Sequence, residues 1–244
     1  SEADNWALIA TAEANEKKGK HIITTAIEHH AILHTCDYLA GRGFEITYLP
    51  VDEDGIISLE ELKKAIRPDT ILISVMTANN EIGSIQPIAK MAKILKKKNP
   101  RAVFHVDAVQ GYGKVLCDVR ELGVDLLSIS GHKIHGPKGI GVLYIKKGTK
   151  IAPILYGGGQ QDNLRSGTEN VPGIAGLGLA AEICHKNMKE SVPEMERLRR
   201  RLEQGIIANI PNVRINTPKG CAPHILNVSF GGVRSEVVLH SLEN

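Results

Sequence analysis

The chain has 244 residues, 42% hydrophobic and 23% charged, a composition that excludes disordered, fibrous and disulfide-scaffold classes. A formal net charge of +3 from 30 basic and 27 acidic residues is too balanced for the massed basic face of a nucleic-acid binder, so no direct nucleic-acid partner is expected. No stretch approaches the about 20 consecutive apolar residues of a membrane-crossing helix and no secretory leader pattern opens the sequence, so no membrane partner and a cytoplasmic location are expected. Cys36, Cys117, Cys184 and Cys221 stand far apart with no Cys-x-x-Cys pair, which points to reduced thiols rather than a zinc site or a disulfide framework.

In chain order, Ser1 to Trp6 opens inside a helical pattern. Strands are predicted at His21 to Thr25, Glu45 to Leu49, Ile71 to Met76, Ala102 to Val106, Leu126 to Ser130 and Gly141 to Ile145. Several are continuous apolar runs, as in strands covered on both faces. Ser58-Leu59-Glu60-Glu61 has the form of a capping box opening a helix that runs to about Ile66. Ile88, Met91, Ala92 and Leu95 mark one stripe of a helix beginning after Pro87. This alternation predicts an α/β fold, a mostly parallel central sheet flanked by helices. Glycine gathers at 157–159, and near residue 186 Gly- and Ala-rich sequence gives way to a basic amphipathic helix after Pro193 (Leu198, Leu202, Ile206), then a strand, Ile225 to Phe230. A large domain over 1–187 and part of a smaller α+β domain over 188–244 are expected. The last residues, Glu236 to Leu242, form a helical pattern without a stop signal, so both ends read as cut.

Four strand ends carry residues suited to chemistry. After Leu126 to Ser130 comes Gly131-His132-Lys133-Ile134-His135-Gly136-Pro137. A lysine delivered there stands in the crevice where open sheets bind ligands, and partial burial favours the neutral amine that forms a Schiff base with an aldehyde such as pyridoxal phosphate. The competing reading is a surface lysine in a glycine turn. Asp107, closing Phe104-His105-Val106, suits a carboxylate beneath a pyridinium nitrogen, with Gln110 within reach of the ring oxygen; a helix cap or a structural salt bridge is the alternative. Asn79-Asn80-Glu81 supplies uncharged amide donors or a simple turn. His29, in Glu28-His29-His30, is placed to stack on a flat cofactor or to stand in a solvated histidine face. His30 and His34 have the spacing of a helical metal pair, but no second ligand cluster accompanies them, so no metal is expected.

Taken together, SGHKIHGPKGIG, EHHAILHTC, ANNEIG, HVDAVQGYGK, GGGQQDNLRSGTENVPGI and APHILNVSF make the chain resemble the class V aminotransferase family of fold-type I pyridoxal-phosphate enzymes, within it the cysteine desulfurases of the NifS/IscS type. The resemblance runs over essentially the whole sequence. It implies a fold-type I large domain and pyridoxal 5'-phosphate as cofactor. It matches Lys133 to the Schiff-base lysine, Ser130 and His132 to phosphate contacts, Asp107 to the pyridinium partner and Gln110 to the residue on the ring hydroxyl. Asn80 matches the asparagine near that oxygen, and His29 the stacked imidazole active in proton transfer. Thr168 resembles a phosphate contact lent by the second subunit of a homodimer, and Ser1 the phosphate-binding hydroxyl at a helix N-terminus.

The activity implied is sulfur abstraction from L-cysteine, giving alanine and an enzyme persulfide passed to an acceptor scaffold protein. The family's N-terminal segment, its catalytic cysteine loop and the arginine that holds the substrate carboxylate have no counterpart in these residues, so the chain alone is expected to be inactive. A selenocysteine lyase or kynureninase-like enzyme, or a noncatalytic scaffold, are the alternative readings.

Overall fold

The computed structural model describes residues 1–243. Helix α1 (Glu2–Asn15) leads into β1 (His21–Thr25), α2 (His30–Gly41), β2 (Glu45–Leu49), α3 (Leu59–Ala65), β3 (Thr70–Met76), α4 (Ile88–Lys98) and β4 (Val103–Asp107). A short helix, α5 (Val119–Leu122), precedes β5 (Leu126–Ser130), which runs through a 3₁₀ turn, Gly131–Ile134, toward β6 (Gly141–Ile145). The six strands form one sheet in the order β2-β1-β3-β4-β5-β6. All neighbours are parallel except β5 and β6, so this is the mostly parallel fold the alternation predicts.

Side chains alternate across the strands, and each face has its own helical layer. Ile23, Ile73, Val75, Phe104, Val106 and Leu127 pack with Leu62 of α3 and with Ile88, Met91 and Leu95 of α4. Ile22, Leu72, Val103 and Leu126 pack with Ala7 and Leu8 of α1 and with Ile32, Cys36 and Leu39 of α2. Helix α4 buries the stripe read from the sequence and ends on three lysines, where cations complement the helix dipole. Ser58 caps α3 through its hydroxyl, which accepts from the Glu61 N–H at 3.3 Å. The reciprocal half of the capping box does not form, because Glu61 pairs with Lys64 at 2.8 Å.

Helix α6 (Val171–Asn209) corrects the reading of the Gly/Ala-rich stretch as a region separate from the basic helix. It is one helix of 39 residues with Pro193 inside it; a proline forfeits its own hydrogen bond and does not always end a helix whose other bonds persist. One of its glycines serves close packing: a Cβ on Gly176 would stand 2.6 Å from Cγ of Pro137, so α6 lies close against the segment just after Lys133. The expected division at 187/188 falls inside this helix. Beyond it, β7 (Val213–Ile215) and β8 (Val228–Phe230) pair antiparallel as a sheet of their own, followed by α7 (Ser235–Leu242). Among the described residues no helix is long and apolar enough to cross a membrane.

Candidate active site

Strand order reverses between β1 and β3, and the C-terminal edge at such a switch point is where open α/β sheets leave a crevice for ligands. Asp107 is the last residue of β4 and Ser130 the last of β5, and the register sets Asp107 opposite Met76 on one side and Ser128 on the other. His29 follows β1, Asn80 follows β3, and the turn Gly131–Ile134 carries Lys133 directly after β5. The sequence-predicted residues of the four strand ends therefore share one edge of the sheet.

Asp107 is buried, and its Oδ1 accepts from the Val109 N–H at 2.8 Å. Its other oxygen accepts no hydrogen bond among the described residues. Burial, then the neighbouring Asp4 carboxylate, pushes its pKa up. Asp107 thus caps the local turn with one oxygen only, and no salt bridge fixes it among the described residues. Lys133 is half-buried, and its amine has no hydrogen-bond or ion-pair partner among the described residues. The turn beneath it is pinned by Lys114, whose Nζ donates to the Lys133 carbonyl at 2.9 Å.

His29 is the N-cap of α2: its Nδ1 accepts from the Ala31 N–H at 3.1 Å. That bond leaves the hydrogen of the neutral imidazole on Nε2, and burial lowers its pKa ahead of the opposing effect of Asp4. Of the two asparagines, Asn79 builds the turn, donating to the Ile27 carbonyl at 2.9 Å and accepting from the N–H groups of Glu81 and Ile82, each at 2.8 Å. The amide of Asn80 makes no hydrogen bond among the described residues. Ser130 and His132 are joined at 2.7 Å between Oγ and Nδ1 on the open side of the edge.

Ser1 is exposed at the N-terminus of α1 and makes no side-chain cap. Thr168 is exposed in the loop before α6, and Arg165 of that loop donates to Glu2 at 2.9 Å, which holds it against the first turn of α1. His30 and His34 stack with centroids 4.9 Å apart, and no metal-holding group of His, Cys, Asp and Glu occurs among the described residues.

Sequence reasoning missed the polar layer beneath this edge. His105 is fully buried between Ser74 (2.8 Å) and Ser128 (2.9 Å), and burial drives its pKa down to about 4. It is neutral at neutral pH, so the 3.9 Å approach of Asp4 Oδ1 to its Nε2 is not an ion pair. Asp4 is itself buried, and its Oδ1 has no hydrogen-bond partner among the described residues. Glu28 accepts from Thr25 Oγ1 at 2.6 Å and the Met76 N–H at 3.1 Å, while its buried Oε2 has no partner among them either. Burial raises Glu28 to about 8. The one signal in the sequence was the spacing of His105 and Asp107, two apart on a strand and so on one face.

The free carboxylate oxygen of Asp107, with two further buried acids, Asp4 and Glu28, near it, fits a ligand with a cationic ring N–H, because such a donor satisfies Asp107 and returns it to the ionised form. The half-buried amine of Lys133 suits an aldehyde carbon, and the amides of Gln110 and Asn80 suit an anionic oxygen. The donor set therefore fits pyridoxal phosphate.

The aminotransferase class-V family matches residues 1–244. The chain is 52% identical over 246 aligned residues to cysteine desulfurase IscS of Clostridium botulinum (strain Hall), a match that takes in 100% of the chain and 62% of the relative. Its fold superposes with TM-score 0.96 on a solved NIFS-like protein, at 46% identity, over 99% of this chain and 66% of that one. It also superposes with TM-score 0.83 on SspA in complex with cysteine, at 34% identity, over 100% of this chain and 67% of that one. The chain thus spans about 62% of the length of the curated relative.

Proposed function

The chain belongs to the aminotransferase class-V family, and on that premise we propose that the whole protein is a pyridoxal-phosphate-dependent cysteine desulfurase that converts L-cysteine to L-alanine and an enzyme-held persulfide. What carries the reading is the pairing of a buried carboxylate with a free oxygen, Asp107, and a half-buried free amine, Lys133, at the same ends of adjacent parallel strands.

Lys133 would hold the cofactor's aldehyde carbon, Asp107 its ring nitrogen, Gln110 and Asn80 its ring oxygen, and His29 its ring face. Ser130, His132, Ser1 and Thr168 of a second copy would hold the phosphate. When bound, the cofactor supplies an electron sink for the substrate's α carbon. Asp107 keeps a proton on the ring nitrogen by remaining a carboxylate beside it. Once the substrate's own amine displaced it from the aldehyde carbon, the Lys133 Nζ would be free to take the proton from the substrate's α carbon. His29, with Nδ1 engaged by Ala31, holds its proton at Nε2 and hands it on from that atom.

The sulfur-accepting thiolate is not among the cysteines whose pKa is displaced. Burial pushes Cys36 and Cys117 to about 12 and raises Cys221, so all three stay protonated and act as small packing groups. Cys184 lies 3.6 Å from the Gly113 carbonyl as a packing donor. All four are unpaired, in keeping with a reducing cytoplasmic setting. A homodimer completed by Thr168, a sulfur-acceptor scaffold protein, and a smaller domain over 188–244 joined through α6 belong to the same proposal.

The test is a substrate panel on the whole protein with pyridoxal phosphate and reductant. Equal yields of alanine and sulfide from L-cysteine, abolished by Lys133→Ala, are expected. Turnover of selenocysteine or kynurenine without turnover of cysteine would replace this reading by one of its family rivals.

A further inference from the structure

The segment 221–227, part of the APHILNVSF motif, has no role in the site as described so far, yet it is docked on the turn that carries Asn80. The Ala222 N–H donates to the Gly83 carbonyl at 2.7 Å, and Asn227 Nδ2 donates to the Glu81 carbonyl at 3.2 Å. Gly83 has φ of 80°, and a Cβ there would stand 3.1 Å from Cβ of Ile225 and 3.4 Å from Cβ of Cys221. Backbone conformation and clearance both call for glycine at this point.

The docking brings His224 to Gln110, with Nε2 3.3 Å from Oε1. A carboxamide oxygen only accepts, so the imidazole hydrogen sits on Nε2 and the lone pair on Nδ1. That Nδ1 is buried and has no partner among the described residues. Burial, followed by the positive charges of Lys114 and Lys133, drives the His224 pKa down to about 4, so the ring stays neutral and a single tautomer can persist. With its oxygen engaged, Gln110 has only its N–H donors left to offer.

We propose that His224 is a positioning residue: by donating from Nε2 to Gln110 it locks the carboxamide with its N–H donors free for an anionic ring oxygen of the ligand. Without that lock the amide is free to flip and present its oxygen to the ligand's oxygen, exchanging an attraction for a repulsion. The inference rests on the cofactor reading above for the identity of that oxygen, and on the geometry alone for the His224–Gln110 pair.

Imidazole nitrogen NMR on the whole protein without cofactor tests the pair. His224 is expected as the Nε2–H tautomer, neutral from about pH 8 to about pH 6, where an unperturbed histidine would begin to charge. An Nδ1–H tautomer, or an imidazolium near neutral pH, overturns the proposal. With pyridoxal phosphate added, His224→Phe is expected to shift the visible band and its pH midpoint and to weaken cofactor retention about threefold to tenfold, the worth of one neutral hydrogen bond. His224→Gln, whose terminal amide nitrogen can take the place of Nε2, should recover retention to within about twofold. Loss of stability in both variants with an unmoved band would mean a purely structural role and also overturns it. The two readings fail separately: an Nε2–H tautomer in a wild-type protein that takes up no cofactor sinks the proposed function and keeps the pair, whereas cofactor uptake with the opposite tautomer does the reverse.

Discussion

The two faces of the central sheet differ in how they end. Toward α3 and α4 the columns of β3, β4 and β5 are apolar, through Ile73, Val75, Phe104, Val106 and Leu127, and only β1 brings buried polar residues, His21 and Thr25, to either side of Ile23. Toward α1 and α2 they begin in the same way, with Ile22, Leu72, Val103 and Leu126, then turn polar at the C-terminal edge, with Thr24, Ser74, His105, Asp107 and Ser128, all buried. In β4 the two faces interleave residue by residue, Phe104 and Val106 on one side and His105 and Asp107 on the other. Stability and chemistry are thereby separated by a single step along the chain. Burying an acid with an unsatisfied oxygen costs free energy, and the apolar face offsets it.

Substitutions that act on one face at a time sharpen this contrast. The largest effect is expected for Phe104→Ala, which empties a fully packed site and should lower the unfolding free energy by about 3–5 kcal/mol in denaturant titration. The surviving folded protein should still take up cofactor. Asp107→Asn should do the opposite. It relieves a buried charge, so denaturant stability should hold or rise, while turnover should fall by about 10²–10³-fold, the usual loss on removing a preorganised electrostatic partner. Equal damage to stability from both variants would erase the distinction between the faces.

A smaller effect separates the faces by pH. Burial lifts Glu28 from 4.5 in its ordinary state to about 8, so between those values the folded protein keeps a proton that the unfolded chain releases. Its contribution is complete below the unfolded value and is lost as pH rises through the folded one. His105 acts in the other direction: its folded pKa of about 4 lies below the ordinary 6.5, so its contribution is lost as pH falls through that interval. Glu28→Gln should therefore flatten the decline in stability that runs from about pH 4.5 to about pH 8, by a few kcal/mol at most, and leave the acid loss set by His105 in place. An unchanged decline over that interval would contradict the buried, protonated state assigned to Glu28. The smallest effect, about 1 kcal/mol, is expected for Ser58→Ala, which removes the hydroxyl cap of α3 on the apolar side; cofactor uptake should not respond.

Legibility in the sequence follows the same division. Strand limits at His21–Thr25, Glu45–Leu49, Leu126–Ser130 and Gly141–Ile145 match the structure, because apolar runs between turn residues are a local signal. The strand-end residues were legible as a set, since each closes its strand or follows it by a few positions. Asp4 was not: in sequence it is an ordinary acidic residue in the first turn of a helix, and only packing of α1 across the sheet buries it. His224 was invisible for the same reason, being 114 positions from its partner Gln110. The compositional shift near residue 186 did not mark an element boundary, because the Gly/Ala-rich stretch, with Gly176 close against Pro137, and the basic stretch belong to one helix.

In the proposed function the polar edge holds pyridoxal phosphate through one particular amine, that of Lys133. Borohydride reduction of the cofactor-loaded protein, followed by proteolysis and mass spectrometry, reads that bond directly. The account predicts a pyridoxyl group on Lys133 and on no other lysine at stoichiometric cofactor. A label on Lys114 or Lys138 instead, or no stable label at all, would contradict it.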